Sequence, residues 1–504
     1  MEGVSGDERA AMMGIGWVGS ARGPARVLQV LLLVSACAVP GAWAAPAAVP
    51  TPPPAAVRAL MVSDIHFEPF WDPGKVGQLA GAPAKGWKAI LAAPDSGDRE
   101  QRFSDLEKSC HARGVDTSYA LFASSLAAMR ADAAGAKFVT VSGDLIAHSF
   151  SCKYQTLFPQ AAPSDYRAFV EKTIEFVMGS LRENLPGVPV YAALGNNDSD
   201  CGDYQLNANS EFLSATAKVM AADLPAAERK QAETDFAVGG YFAARLPIPH
   251  ARMLVLDDLF MARKYSTCGG KPDAQAAADQ VAWLKQQLDD ARSEKEKVWV
   301  MAHIPPGVDP YSTAAKSGNI CAGKSPQMFL SSEAMEETMA EYGDVIQLAI
   351  FAHTHMDEVR LLVDRKSPGL HKAVAVKLVP SISPIDGNDP SFTVANVDAA
   401  TATMTDYRVL MGSNQTGVGA TWSEEYDYQK DFGQPDFSAS SVSALVGAFA
   451  SDAAAQAQMS QSYLSHYSAG GMARVLAPLW PMYVCALAHD SADSYRACVC
   501  AKAP

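Results

Sequence analysis

Five short stretches of this chain carry groups that suit divalent cations: Asp64-Ile65-His66, Gly143-Asp144, Gly195-Asn196-Asn197-Asp198, His303 and Ala352-His353-Thr354-His355. Carboxylate and amide oxygens mixed with imidazole nitrogens, with no thiolate among them, fit two divalent cations such as zinc, manganese or iron. Taken singly, each stretch is weak, because an Asp-x-His or a single strand-end His is more often a hydrogen-bonded structural residue. Together they form an ordered series in which every member follows an apolar run, and strand ends are where α/β folds open the crevice that receives ligands. Along an extended backbone, residues two apart project to the same side, so Asp64 with His66 and His353 with His355 would each serve one cluster. Glycine before Asp144 and before Asn196 lets the main chain turn tightly as it leaves its strand.

The elements that must position these groups are legible as β-branched runs ending in polar residues: Ala59–Ser63, Phe138–Ser142, Val188–Leu194, Met253–Leu256, Val298–Ala302 and Leu348–Ala352. Near-continuous apolar character predicts strands buried on both faces, with helices packed outside. Helical periodicity over Tyr166–Glu183 and Ala276–Ala291 supplies such helices, the second with Trp283, Leu284 and Leu288 on one face. Runs at Val359–Val363, Val374–Val379, Phe392–Val397 and Met404–Leu410 have no long helical spacers and predict an antiparallel continuation of a sheet. From about Trp422 the texture turns to Ala, Ser and Gln at helical spacing and ends in a cysteine cluster. No internal repeat is evident.

The ordered series resembles the signature of the calcineurin-like metallophosphoesterases from Asp64 to His355. That resemblance implies an α/β sandwich of two mixed β-sheets flanked by helices, followed by a small helical, disulfide-stapled C-terminal subdomain. It also implies two divalent metal ions, zinc first, with Asp64, His66 and His355 on one, Asn196, His303 and His353 on the other, and Asp144 bridging. Finer motifs look like the acid sphingomyelinase-like phosphodiesterases: Gly143-Asp144-Leu145-Ile146-Ala147-His148, His303-Ile304-Pro305-Pro306-Gly307 and His353-Thr354-His355-Met356-Asp357-Glu358. The likeness extends through Pro380–Asp398 and the cysteine-bearing tail. Two positions depart from it. Ala352 stands where the family has glycine, and Asn197 where it has histidine; an amide can hydrogen-bond a phosphoryl oxygen but delivers no proton at neutral pH. Gly-Asn-Asn-Asp is also similar to the endopolyphosphatase branch.

Length and composition fit one large catalytic domain with a smaller appendage: 504 residues, 48% hydrophobic and 19% charged. A net charge of −14 without a basic stripe argues against a nucleic-acid partner, whereas a small phosphorylated substrate is compatible because buried cations override net charge locally. Arg22 and Arg26, the apolar run Val27–Val34 and Ala42-Trp43-Ala44 read as a signal peptide over 1–44, with an Ala/Pro linker over 45–57. The run is too short to span a bilayer, so the mature chain has no transmembrane segment. Val34-Ser35-Ala36-Cys37 also matches a lipoprotein box, which would put a lipid on Cys37. The catalytic domain is placed at 58–415 and the helical subdomain at 416–504. Eight cysteines after Ala44 in an exported, secreted or periplasmic chain predict disulfides whose pairing spacing does not fix.

The mechanism implied is attack on phosphorus by a metal-bridging hydroxide, with His148, four residues beyond Asp144, as candidate acid for the leaving oxygen, or else a residue that orders the loop. Lipid-handling enzymes of this branch carry an extra domain ahead of the catalytic core, and only the linker precedes Arg58 here. Soluble phosphodiesters or nucleotide-type phosphates are therefore the expected substrates, ahead of sphingomyelin-type lipids and polyphosphate. A metal-containing protein that binds a phosphorylated ligand without turnover is the alternative of another class, and a protein serine/threonine phosphatase the enzyme rival. Phe67, Phe70 and Trp71 either line the substrate mouth or pack the loop. Asp257-Asp258 reads as structural, and His111, His250, His371, His466 and His489 as surface or packing residues.

Overall fold

The structure is a computed structural model that describes residues 56–367, 369, 372–469 and 476–502. The signal segment, most of the linker, Cys37 and His371 lie outside the described residues.

Two six-stranded mixed sheets form the framework. The first has the order β12-β11-β10-β1-β2-β3, with β1 at Ala56–Val62, β2 at Phe138–Ser142, β3 at Val190–Ala193, β10 at Ser391–Asp398, β11 at Met404–Gly412 and β12 at Trp422–Asp427. Strands β1, β2 and β3 run parallel, and β10 to β12 continue the sheet antiparallel from β1. The second sheet has the order β4-β5-β6-β7-β9-β8, built from Phe242–Arg245, Ala251–Val255, Lys297–Met301, Ile346–Phe351, Glu358–Val363 (β8) and Ala373–Leu378 (β9). Its strands β5, β6, β7 and β9 are parallel, with antiparallel β4 and β8 on the edges.

Period-two alternation decides which side chains meet. On β6, Trp299 and Met301 enter the core shared by both sheets, where the Trp299 ring lies 5.5 Å from Phe138 of β2. Val298 and Val300 point the other way, toward Leu284, Leu288 and Ala291 of the helix Gln275–Glu294 and Met335 and Met339 of the helix Ala334–Glu341. On the far side of the first sheet, helices Tyr119–Asp132 and Pro163–Asn184 bury Phe122, Phe169 and Phe176. The result is the expected helix, sheet, sheet, helix sandwich.

Two local expectations need correction, and one strand carries no sequence signal. The late strands do not prolong one sheet: β8 and β9 complete the second, while β10 and β11 return to the first. β4 has only four residues, too few for a periodic signal. Trp422–Asp427 is not the start of a helical region but an edge strand paired to β11; Ser423 and Glu424 face solvent and Glu425 is a charged residue turned inward, so no apolar pattern marks it.

Helices Ala439–Ser451, Gln458–His466, Trp480–Ala486 and Ala492–Lys502 follow β12. The eight cysteines form four disulfides, Cys110–Cys152, Cys201–Cys268, Cys321–Cys500 and Cys485–Cys498. Cys485–Cys498 staples the tail internally, and Cys321–Cys500 ties it to the loop after β6. Among the described residues no helix is long and apolar enough to cross a membrane.

Candidate metal centre

All five stretches lie just beyond the C-terminal ends of parallel strands: Asp64 and His66 after β1, Asp144 after β2, Asn196 and Asn197 after β3, His303 after β6, and His353 and His355 after β7. The two sheets turn the same ends toward one another, so residues nearly 300 positions apart become neighbours. Their backbone is not extended. Asp64, His66, Asp144, His353 and His355 have φ of 43°, 43°, 53°, 71° and 65°, left-handed values that side chains seldom adopt. The convergence of Asp64 with His66 and of His353 with His355 therefore comes from tight turns and not from strand alternation. Such strain, about 1–3 kcal/mol per residue, is held in place by the surrounding fold and clusters at functional sites.

Two glycines make room in different ways. Gly143 has φ +94°, and a Cβ there would lie 2.7 Å from His303 Nδ1. Gly195 needs no left-handed φ; its absent Cβ would sit 2.2 Å from Asp144 Oδ1, so close approach and not turning is what requires glycine there. Ala352 is not among the positive-φ residues, which explains why a Cβ is tolerated at that position.

The inward atoms form a continuous ring of donors. His66 Nε2 lies 3.1 Å from His355 Nε2, 3.4 Å from Asp144 Oδ2 and 3.8 Å from Asp64 Oδ1, and His355 Nε2 is 3.5 Å from Asp64 Oδ1. His303 Nε2 lies 3.1 Å from Asp144 Oδ2, 3.2 Å from Asn196 Oδ1 and 3.3 Å from His353 Nδ1. Asp144 thus touches both groups.

Outer partners fix which atom each ligand presents. His66 Nδ1 faces the Ile146 carbonyl at 2.9 Å and His303 Nδ1 the Ser142 carbonyl at 2.8 Å, leaving both Nε2 atoms for the centre. His353 Nε2 is 3.1 Å from the Tyr204 hydroxyl, leaving Nδ1, while the Asn196 amide nitrogen donates to Asp203 at 2.7 Å, which turns its oxygen inward. His355 Nδ1 faces Asp386 at 3.4 Å.

Electrostatics favours positive charge here. Both oxygens of Asp64 are buried with no well-formed hydrogen bond to either, and burial pushes this carboxyl up to about 7. Burial pulls His66 down to about 4 and His353 and His355 well below their ordinary value, which keeps these imidazoles neutral with free lone pairs. The same burial acts on His303, but Asp144 outweighs it and takes His303 up to about 10; a cation between the two would answer the same need. The donor set therefore fits two divalent cations.

Asn197 and His148 take distinct places. Asn197 donates both its backbone N–H (2.8 Å) and its side-chain amide (2.9 Å) to the Asp144 carboxylate. His148 stacks on His66, with ring centroids 4.0 Å apart. Its Nδ1 lies 3.1 Å from Asp116, which also accepts the His148 backbone N–H and the Ser383 hydroxyl. Burial alone would lower His148, but Asp116 reverses this and raises it.

Supports surround these residues, some of them within the motifs and some far from any. Asp198 accepts N–H bonds from Gly195, Leu145 and Ile146 and so locks the β2 and β3 turns together. Asp258 accepts from the backbone of His303 and Ile304, in keeping with a structural role. Asp116, Asp203, Tyr204 and Asp386 follow no strand and carry no motif, so only tertiary contact reveals them. Phe67 and Phe70 are fully buried and pack the loop, and Trp71 lies against Arg99 and Phe103.

Beside His353 opens a cavity of about 360 Å³, lined among others by Arg113, Tyr311, Phe329, Thr354, Asp386 and Tyr467.

A family model described as calcineurin-like phosphoesterase matches residues 57–357. The chain is 25% identical over 414 residues to the cyclic GMP-AMP phosphodiesterase SMPDL3A of Homo sapiens, covering 80% of this chain and 82% of that one. It is 24% identical to the acid sphingomyelinase-like phosphodiesterase 3b of Mus musculus, covering 88% and 90%. The sphingomyelin phosphodiesterase of Homo sapiens is 26% identical over 280 residues, 53% of this chain and 40% of that protein.

Proposed function

Since the chain belongs to the calcineurin-like phosphoesterase family, in its acid sphingomyelinase-like branch, and is a metal-dependent phosphodiesterase, we propose that it hydrolyses a soluble phosphodiester or nucleotide-type phosphate outside the cytosol. One observation carries the reading: seven side chains from five distant stretches, Asp64, His66, Asp144, Asn196, His303, His353 and His355, aim their free donor atoms at one buried space. In this reading Asp64, His66 and His355 hold one cation, Asn196, His303 and His353 the other, and Asp144 bridges. When bound, the cations supply Lewis acidity that makes water a nucleophile near neutral pH and offsets charge on the phosphoryl oxygens.

The chain's own residues do the rest. Asn197 fixes the bridging carboxylate through two hydrogen bonds. His148 is held by Asp116 at Nδ1, and its Nε2, 3.2 Å from the Arg113 guanidinium, is the atom that would pass a proton to a departing alkoxide once Arg113 turns away. Tyr204, Asp203 and Asp386 hold the outer atoms of His353, Asn196 and His355. Four disulfides fit an oxidising compartment, secreted or periplasmic. The division at residue 415 belongs to the same proposal, with β12 contributing to the catalytic sheet.

A screen of bis(4-nitrophenyl) phosphate, a nucleotide, a glycerophosphodiester, sphingomyelin and polyphosphate, with metal content measured on the same sample, tests the reading. Turnover of the soluble diester or nucleotide with zinc or manganese is expected. Preference for sphingomyelin or polyphosphate would shift the substrate assignment, and no hydrolysis with any metal would leave a phosphorylated-ligand binder.

A further inference from the structure

Arg113 stands beside His148. Its guanidinium lies 3.2 Å from His148 Nε2, the atom assigned to the departing oxygen, and its side chain lines the cavity beside His353. The backbone carrying it is held on several sides. Cys110 is joined to Cys152 on the helix that follows His148, and Asp116 is bonded to His148 and Ser383. A Cβ on Gly114 would lie 3.1 Å from the Ile385 carbonyl, so this loop packs directly on the segment that bears Asp386. The side chain itself is 62% exposed and faces Asp386 at 3.5 Å.

The other charges of the cavity are committed. Arg360 is buried, donates to the carbonyls of Pro306 and Val308, and pairs with Glu358 at 3.4 Å. Asp309 caps the helix Pro310–Lys316 by accepting the Ser312 N–H at 2.8 Å. The Asp386 side chain is 30% exposed and lies 3.4 Å from His355 Nδ1, so solvent can meet its carboxylate if Arg113 turns to a ligand. Arg113 is thus the cation of this cavity that can exchange a carboxylate for a substrate anion.

Resting on the proposed function, we propose that Arg113 is a specificity-determining residue that favours substrates whose leaving group carries negative charge. In the hydrolysis, the oxygen of water forms the new bond to phosphorus, and the bond to the leaving oxygen breaks with its electron pair staying on that oxygen. The proton lost by water passes to solvent. An alcohol oxygen must gain a proton as it leaves, and His148 gives it; a phosphate oxygen can leave as an anion, and the guanidinium pairs with it. Asn197, which delivers no proton, leaves the chain with one acid fewer at this place, so charge pairing and protonation become alternative ways to release the leaving group.

The test compares two adenylyl substrates, adenosine diphosphate, whose leaving group is anionic, and the methyl ester of adenosine 5′-monophosphate, whose leaving group is neutral. In Arg113→Ala the ratio of kcat/KM for the diphosphate to that for the methyl ester falls about 10- to 100-fold, the range expected for a hydrogen bond between charged groups. In His148→Ala the same ratio rises. A fall of less than threefold in Arg113→Ala, or any rise, overturns the assignment, and Arg113→Gln and Arg113→Lys read the same ratio should the alanine variant not fold. A wild-type enzyme that cleaves bis(4-nitrophenyl) phosphate but not the diphosphate also overturns it while leaving the proposed function standing; failure on every substrate would remove that function instead.

Discussion

Asp64 places two buried carboxylate oxygens in the centre with no well-formed hydrogen bond to either, an arrangement that a bound cation would relieve. Asp64→Asn should therefore lower bound metal from two ions per chain toward one, read by elemental analysis of purified protein; unchanged stoichiometry would remove Asp64 from the ligand set. His148 invites a kinetic test. A general acid contributes about 10²–10⁴-fold where the leaving group needs a proton. Replacing His148 with Ala should slow methyl or other alkyl diesters by about that much, and nitrophenyl diesters far less. Equal slowing of both would mean that His148 orders the loop through Asp116 and transfers no proton. The residues proposed to hold the cations were legible as residue types in order, because strand ends betray themselves by a switch from apolar to polar. Their backbone was not: left-handed turns at Asp64, His66, His353 and His355 have no sequence mark, since the fold imposes them.

Elements show the same division. Leu194 and Gly195 carry the chain off β3 against Asp144, and the Cβ of Gly195→Ala would lie 2.4 Å from the Asp144 backbone nitrogen. Overpacking of this kind costs about 1–3 kcal/mol, so the variant should melt earlier and lose metal affinity together; a melting temperature equal to wild type would contradict the close approach. In the tail, His466 of the helix Gln458–His466 stacks on Tyr426 of β12 and lies 2.8 Å from Asp431 and 3.3 Å from Glu425. Burial works against its protonation, but the two carboxylates win and raise it above its ordinary value. The stabilisation this gives is fully present below the unfolded value, about 6.5, and fades as pH rises through the raised folded value. Thermal melts of His466→Gln should fall below wild type at pH 5.5 and approach it at pH 9; a larger deficit at pH 9 would reverse the sign. Sequence spacing placed this histidine outside the motif, and the carboxylates that pair with it come from β12 and from the short helix Tyr428–Phe432 that follows it.

For the whole molecule, Cys321–Cys500 closes a loop across 179 positions and joins the tail to the catalytic domain. Replacing both cysteines with Ser should destabilise the chain by about 2–5 kcal/mol, measured by denaturant unfolding, and an unchanged midpoint would show that packing alone holds the tail. Hydrophobic runs of strand length, two periodic helices and a polar switch at five strand ends are local properties; they marked the buried strands and the candidate residues at their ends, while the two-sheet sandwich followed from the resemblance those residues carry. Which sheet each late strand joins, which cysteines pair, and that Asp116 and Arg113 meet His148 while Asp386 faces Arg113 and His355 depend on contacts between segments far apart in the chain. Those contacts are set by how two sheets close on a shared core, a free energy summed over the whole structure, and no single stretch of residues carries it.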